Sequence, residues 1–133
     1  MSESSFNERI NFDHDKQIME VDFSELTFDS SPMVDQFYDA LEHGIADSGK
    51  DKWYFLVNYR DCRIYELAWI RFAQRGKRLN LTHSLGSVRY AVREDLSETI
   101  EASARVEQFD SNLFASRQAA IEAIGRMKST SAN

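Results

Sequence analysis

The residue types best suited to chemistry are concentrated in one short segment, residues 58–65. Seven of its side chains form a candidate edge for a ligand or a partner: Asn58, Tyr59, Arg60, Asp61, Cys62, Arg63 and Tyr65. The two arginines suit a phosphate or a carboxylate, and an arginine beside a thiol at the start of a helix lowers the thiol pKa. The alternative is structural: Arg60 pairs with Asp61, Arg63 pairs with Glu66, and Cys62 is a packed, inert thiol.

The remaining reactive residue types show no spacing typical of a catalytic or metal site. His14, His43 and His83 are far apart in sequence, so no two of them share a helix face as metal ligands do. The chain has neither a dinucleotide-binding glycine pattern nor a P-loop. We therefore expect no cofactor, no bound metal and no catalytic residues, and we do not expect an enzyme.

Composition favours one globular domain over residues 1–133, with an ordered core at about 9–128. The chain has 42% hydrophobic and 29% charged residues, which excludes a wholly disordered chain. Its longest apolar run has five residues, from Trp53 to Val57, far short of the roughly 20 that a membrane helix needs. The single cysteine excludes an internal disulfide, and the first residues have no apolar signal segment. We expect a cytoplasmic protein that is not an integral membrane protein.

The net charge of −6 hides an asymmetry along the chain. Residues 1–51 carry 3 basic and 13 acidic residues, whereas residues 60–93 carry 8 basic and 2 acidic residues. Such polarity either steers a charged partner or pairs one part of the fold with another, and solvated faces with internal contacts are the simpler interpretation. An acidic chain without a binding motif does not favour nucleic acid as a partner, despite the basic stretch 71–78.

Hydrophobic periodicity predicts the first elements. Residues 9–14 and 17–23 alternate apolar and polar side chains, which indicates an antiparallel β-hairpin. A helix follows, with Ser31 as its N-cap and Pro32 in its first turn, and it ends at Gly44 or Gly49. A strand is predicted over residues 53–59, because its residues 53–57 are apolar on successive positions, which is typical of a strand buried on both faces. We expect Trp53, Phe55 and Val57 on one face of the sheet, and Tyr54 and Leu56 on the other.

The second helix spans about 65–79. Its buried side is predicted to carry Leu67, Ala68, Trp69, Phe72, Ala73 and Gly76, and its outward side to carry Arg71, Gln74, Arg75 and Arg78. A strand at 87–92, a weaker helix at 94–104, a short strand at 106–109 and a final helix from a Ser116 cap to residue 127 complete the order β-β-α-β-α-β-α-(β)-α. The fold class is therefore α/β, a mixed sheet with parallel βα units and four helices.

This order and the stretches 52–63 and 114–120 resemble the SpoIIAA-like fold of STAS domains and the bacterial STAS/SEC14 families. The first stretch looks like the central strand and following turn of that fold, and the second like its closing segment. The phosphorylatable serine of anti-sigma-factor antagonists would lie within 59–65, where this chain has no serine or threonine. Asp29, Ser30 and Ser31 resemble that motif locally, but a helix cap explains them. The resemblance implies a fold and no activity.

High aromatic content offers a second candidate site. An apolar pocket is predicted between the first two helices, lined by Phe37, Tyr38, Leu41, Trp69 and Phe72, although ordinary core packing explains the same residues. Two functions remain open. The first is a non-catalytic STAS-like module that binds an unknown protein partner or forms a homodimer. The second, which the SEC14 part of the resemblance implies, is a carrier or sensor of a small apolar or lipid-like ligand.

Overall fold

The computed structural model describes residues 6–108 and 110–131. After a 3₁₀ turn at Asn7–Arg9, the elements are β1 Ile10–Asp13, β2 Ile18–Asp22, β3 Thr27–Phe28, α1 Ser31–Ser48, β4 Trp53–Asn58, β5 Arg63–Ile64, α2 Glu66–His83, β6 Ser84–Tyr90, α3 Glu94–Glu107, β7 Leu113–Phe114 and α4 Arg117–Ser131. Within the described residues, the predicted α/β class, the mixed sheet and the four helices are confirmed.

The main sheet has the order β1-β2-β4-β6-β7, which follows the order of these strands in the chain. β1 pairs antiparallel with β2, as the predicted hairpin requires, and every later pair is parallel. Crossovers between parallel strands are right-handed, so strands added in chain order place their connecting helices on one face. Residues of α1, α2 and α3 accordingly share one core cluster, while α4 packs on the opposite face.

The central strand β4 separates the two layers of the core. Trp53 and Phe55 pack on the side of α1, α2 and α3, with Val57 half-buried beside them. Tyr54 and Leu56 pack on the side of α4. The predicted assignment of this strand to two buried faces is confirmed, because both faces of β4 are covered by helices.

Several predicted boundaries are corrected. Ser30 rather than Ser31 caps α1: its hydroxyl accepts a hydrogen bond from the Met33 backbone N–H, and Pro32 lies in the first turn. Gly49, in a left-handed conformation (φ 83°), ends the helix.

The last strand also differs from the prediction. Residues 106 and 107 belong to α3, because the run of helix-forming residues continues to that point, and β7 lies at Leu113–Phe114 instead. Position 109 of the predicted strand is outside the described residues.

Candidate functional site

The backbone of the predicted 58–65 edge is fastened to the segment that follows β2. β5, which lies within this edge, pairs in parallel with β3 in a second, two-stranded sheet. The Glu25 N–H donates to the Arg60 carbonyl (2.8 Å), and the Arg63 N–H donates to the Leu26 carbonyl (2.9 Å). Asp61 adopts a left-handed φ of 54°, a conformation that aspartate tolerates in a tight turn. These backbone groups are therefore engaged within the fold.

The side chains of this edge divide into buried and exposed sets. Tyr59 and Cys62 are buried, Asn58 is half-buried, and the remaining predicted residues are exposed: Arg60, Asp61, Arg63 and Tyr65. Arg60 lies 3.4 Å from the Asp61 carboxylate and 3.5 Å from that of Glu25, so the expected local pair forms. The other expected pair, Arg63 with Glu66, does not form in the described part of the chain.

Cys62 is fully buried in the main core cluster. Burial raises the pKa of its thiol to about 12, and the positive charge of Arg9 offsets this only in part. The hypothesis of a low-pKa thiol is therefore wrong, because the side chain points into apolar surroundings rather than toward the flanking arginines. The alternative of a packed, inert cysteine is supported.

Most of the predicted apolar pocket is packed core. Phe37, Tyr38, Leu41 and Phe72 are buried in one cluster, and Tyr38 meets Phe72 edge to face at 5.7 Å between ring centroids. These rings occupy the space between α1 and α2 themselves. Trp69, half-buried, stacks on Phe72 at 6.0 Å between ring centroids and is the one member of the set that reaches a surface groove between α2 and α3.

Arg75 overturns one prediction directly, because it points into the α1–α2 contact and not outward. Only 8% of the residue is exposed. Its guanidinium donates to Asp35 (2.7 Å), Asp39 (2.9 Å) and Glu42 (2.8 Å), which lie one helical turn apart on α1. Three carboxylate acceptors bind Nη1 and Nη2 of a cation that would otherwise be costly to bury, while its buried Nε has no hydrogen-bond partner among the described residues. Burial by itself lowers the Arg75 pKa, but the hydrogen bonds to the three carboxylates outweigh it and raise the pKa above its ordinary value.

Two exposed arginines extend this contact along α2. Arg78 bonds Glu42 at 3.0 Å, and Arg71 approaches Asp35 at 3.7 Å. Much of the charge asymmetry along the sequence is thus used inside the molecule, where acidic α1 meets basic α2. This supports the simpler of the two interpretations of that asymmetry.

An open groove of about 490 Å³ lies between α2 and α3. It is lined by Trp69, Glu98, Thr99, Ala102, Ser103, Val106 and Glu107. A salt bridge between Lys77 and Glu107 (2.6 Å) joins the two helices beside the groove. The small residues of α3 leave the Trp69 ring partly uncovered, so the groove combines an apolar floor with carboxylates at its rim.

The solvent side of α2 carries large apolar side chains that sequence reasoning did not place there. Leu67, Ile70 and Leu81 are 86%, 69% and 75% exposed. Leu67 was expected on the buried side, but that side repeats at Ala68, Phe72 and later positions, about 100° around the helix from Leu67. We call Leu67, Ile70, Gln74, Lys77 and Leu81 the outer face of α2.

Within the described ranges no three histidine, cysteine or acidic side chains are grouped so that they could hold a metal ion. None of the helices described is long and apolar enough to span a membrane. No protein-family model, no curated protein and no solved structure matches the chain.

Proposed function

We propose that this chain is a non-catalytic, STAS-like interaction module that acts in the cytoplasm and binds a protein through the outer face of α2 and the adjoining α2–α3 groove. The strand pair at the start and the sheet built in chain order support the proposed relationship to SpoIIAA-like domains. Within this proposal the 58–65 edge has a structural role. Its backbone is bonded to the segment after β2, and its thiol is buried.

The observation that carries the proposal is the exposure of Leu67, Ile70 and Leu81 on one helix. Scattered single apolar residues are normal on a protein surface, but several on one helix face mark a contact surface. Val106, 80% exposed on α3, widens the same side of the molecule. Burial of a leucine or isoleucine side chain contributes roughly 1.5–3 kcal/mol, so these residues can drive binding.

The carrier alternative requires an apolar cavity, and the aromatic residues expected to line one fill the space themselves. Native mass spectrometry of freshly purified protein separates the two functions. Under the interaction proposal the spectrum shows protein masses only. A bound lipid-like mass that persists in the Ile70→Glu variant would favour the carrier instead.

Site-specific photo-crosslinking in the cells of origin tests the proposal directly. We expect Ile70→p-benzoylphenylalanine to give an adduct of defined mass, because this side chain would be buried against the partner. The matched control is Gln36→p-benzoylphenylalanine, at an exposed position on α1. Adding Leu67→Glu to the first variant should remove the adduct. An absence of any adduct at position 70, or equal adducts at both positions, would refute the proposal.

A further inference from the structure

The outer face of α2 has the spacing of a coiled-coil seam. Its members Leu67, Ile70, Gln74, Lys77 and Leu81 are separated by 3, 4, 3 and 4 residues, which is the a/d pattern of just over two heptads. This stripe is distinct from the buried one that packs on the core. An α-helix that is apolar on its core side and carries a second such stripe toward solvent is suited to pair with another helix.

Lys77 is the member of the stripe least suited to an apolar seam, but its charged group lies away from the seam. Lys77, at a d position, places its ammonium 2.6 Å from Glu107 of α3. The charge is therefore drawn away from the seam, while the aliphatic part of the side chain stays beside it. Gln74, at an a position, is a polar residue of the kind that specifies register at a cost in stability.

Charges beside the stripe favour one orientation of a second copy. In this heptad Glu66 occupies a g position and Arg71 an e position five residues later, which is the spacing of an attractive pair between parallel helices. In an antiparallel pair, e positions face each other, and Arg71 would meet Arg78 of the other copy. Like charges there are destabilising, so the parallel arrangement is favoured.

We infer that α2 pairs in parallel and in register with α2 of a second copy of this chain, forming a homodimer about a twofold axis along the helix. This inference rests on the proposed function and names the partner at its surface. The seam is short and contains Gln74 and Lys77, so the dimer belongs to the weak, concentration-dependent class of interfaces.

Cysteine cross-linking tests the orientation. Leu67→Cys and Leu81→Cys are made separately, with the buried Cys62 replaced by alanine. In a parallel, in-register pair, each new thiol lies next to the thiol at the same position of the other copy. Each variant alone should therefore form a disulfide dimer under mild oxidation, and more of it at higher protein concentration. Gln36→Cys, exposed on α1, is the control. Disulfides that form only in a mixture of the two variants, or no faster than in the control, would overturn the inference.

Sedimentation equilibrium tests the charge pair without a cross-link. Glu66→Lys and Arg71→Glu should each raise the dimer Kd about fivefold, since each breaks two symmetry-related pairs, and the double swap should restore it. Thermal melts of dilute samples verify that each variant folds. Monomer at all concentrations, or a double swap no better than either single change, would refute the homodimer.

The two proposals fail differently. If the chain is monomeric and position 70 crosslinks to a protein of another mass, the interaction function stands and the homodimer falls. If position 70 gives no adduct and the chain is monomeric, both fall.

Discussion

Replacing Arg75 by methionine should destabilise the fold markedly while leaving the apolar part of its contact in place. The change removes three charge-assisted hydrogen bonds to Asp35, Asp39 and Glu42. Breaking a buried ion pair by removing one partner costs about 3–5 kcal/mol. The three carboxylates are about a third to a half exposed and can bind water once Arg75 is gone, so the expected loss lies at or below the lower limit of that range. We expect the free energy of unfolding to fall by about 2–3 kcal/mol.

Urea denaturation measures this loss, and Arg78→Met provides a matched control. Arg78 is on the same helix and bonds Glu42 at 3.0 Å, but its side chain is 64% exposed. Its removal should cost less than about 1 kcal/mol. A double-mutant cycle with Asp39→Asn adds a second criterion, since Asp39→Asn should cost measurably less in the Arg75→Met background. Equal losses for the two arginine variants, or additive losses in the cycle, would refute the assignment of Arg75 as the centre of the α1–α2 contact.

Three further predictions concern the core and the 58–65 edge. Phe55→Ala should lower the free energy of unfolding, measured by urea titration, by about 3–5 kcal/mol, and Val57→Ala, at a half-buried position, should lower it by less. A loss under ~1 kcal/mol for Phe55→Ala would contradict the buried position of Phe55. Cys62 should react with a disulfide reagent at neutral pH only as fast as the protein opens, and immediately in urea. Because burial raises the pKa of this thiol from 9.0 to about 12, its contribution to stability is complete below pH 9 and is lost as the pH rises through about 12. A Cys62→Ala variant that loses as much stability as the unmodified chain over this alkaline range would contradict the prediction. Arg60→Ala combined with Arg63→Ala should leave the melting temperature nearly unchanged, since both side chains are exposed, and a drop of several degrees would show that they are structural.

The elements with the strongest hydrophobic pattern were the predictable ones. The five-residue apolar run in β4 specified a strand buried on both faces, because each of its side chains must find apolar surroundings. The alternation in β1 and β2 specified their pairing for the same reason. By contrast, β3 and β5 have two residues each, too few to show any period, and their pairing depends on backbone hydrogen bonds that every residue type can make.

The candidate site was less predictable, because its decisive residues break the usual rules of burial. Arg75 lies four and three residues from Leu79 and Phe72, so its position in the buried stripe was visible in the spacing, while its charge argued for solvent. Its burial is possible because carboxylates on α1, more than 30 residues earlier in the chain, compensate for the hydration that the guanidinium loses. Leu67 shows the reverse case, since its apolar character argued for the core and the helix geometry leaves it exposed.

A sheet whose strands lie side by side in the order of the chain has a consequence for how the molecule assembles. From β2 onward, each new strand joins the edge left by the one before it, so loop closures span about one βα unit rather than the whole chain. Folding can therefore proceed outward from the most enclosed strand, β4, by adding one strand at a time. The relative contact order of this fold is lower than that of a parallel sheet whose strand order differs from the chain order. The outer strands β1 and β7 are then the last to gain protection against hydrogen exchange and the first to lose it.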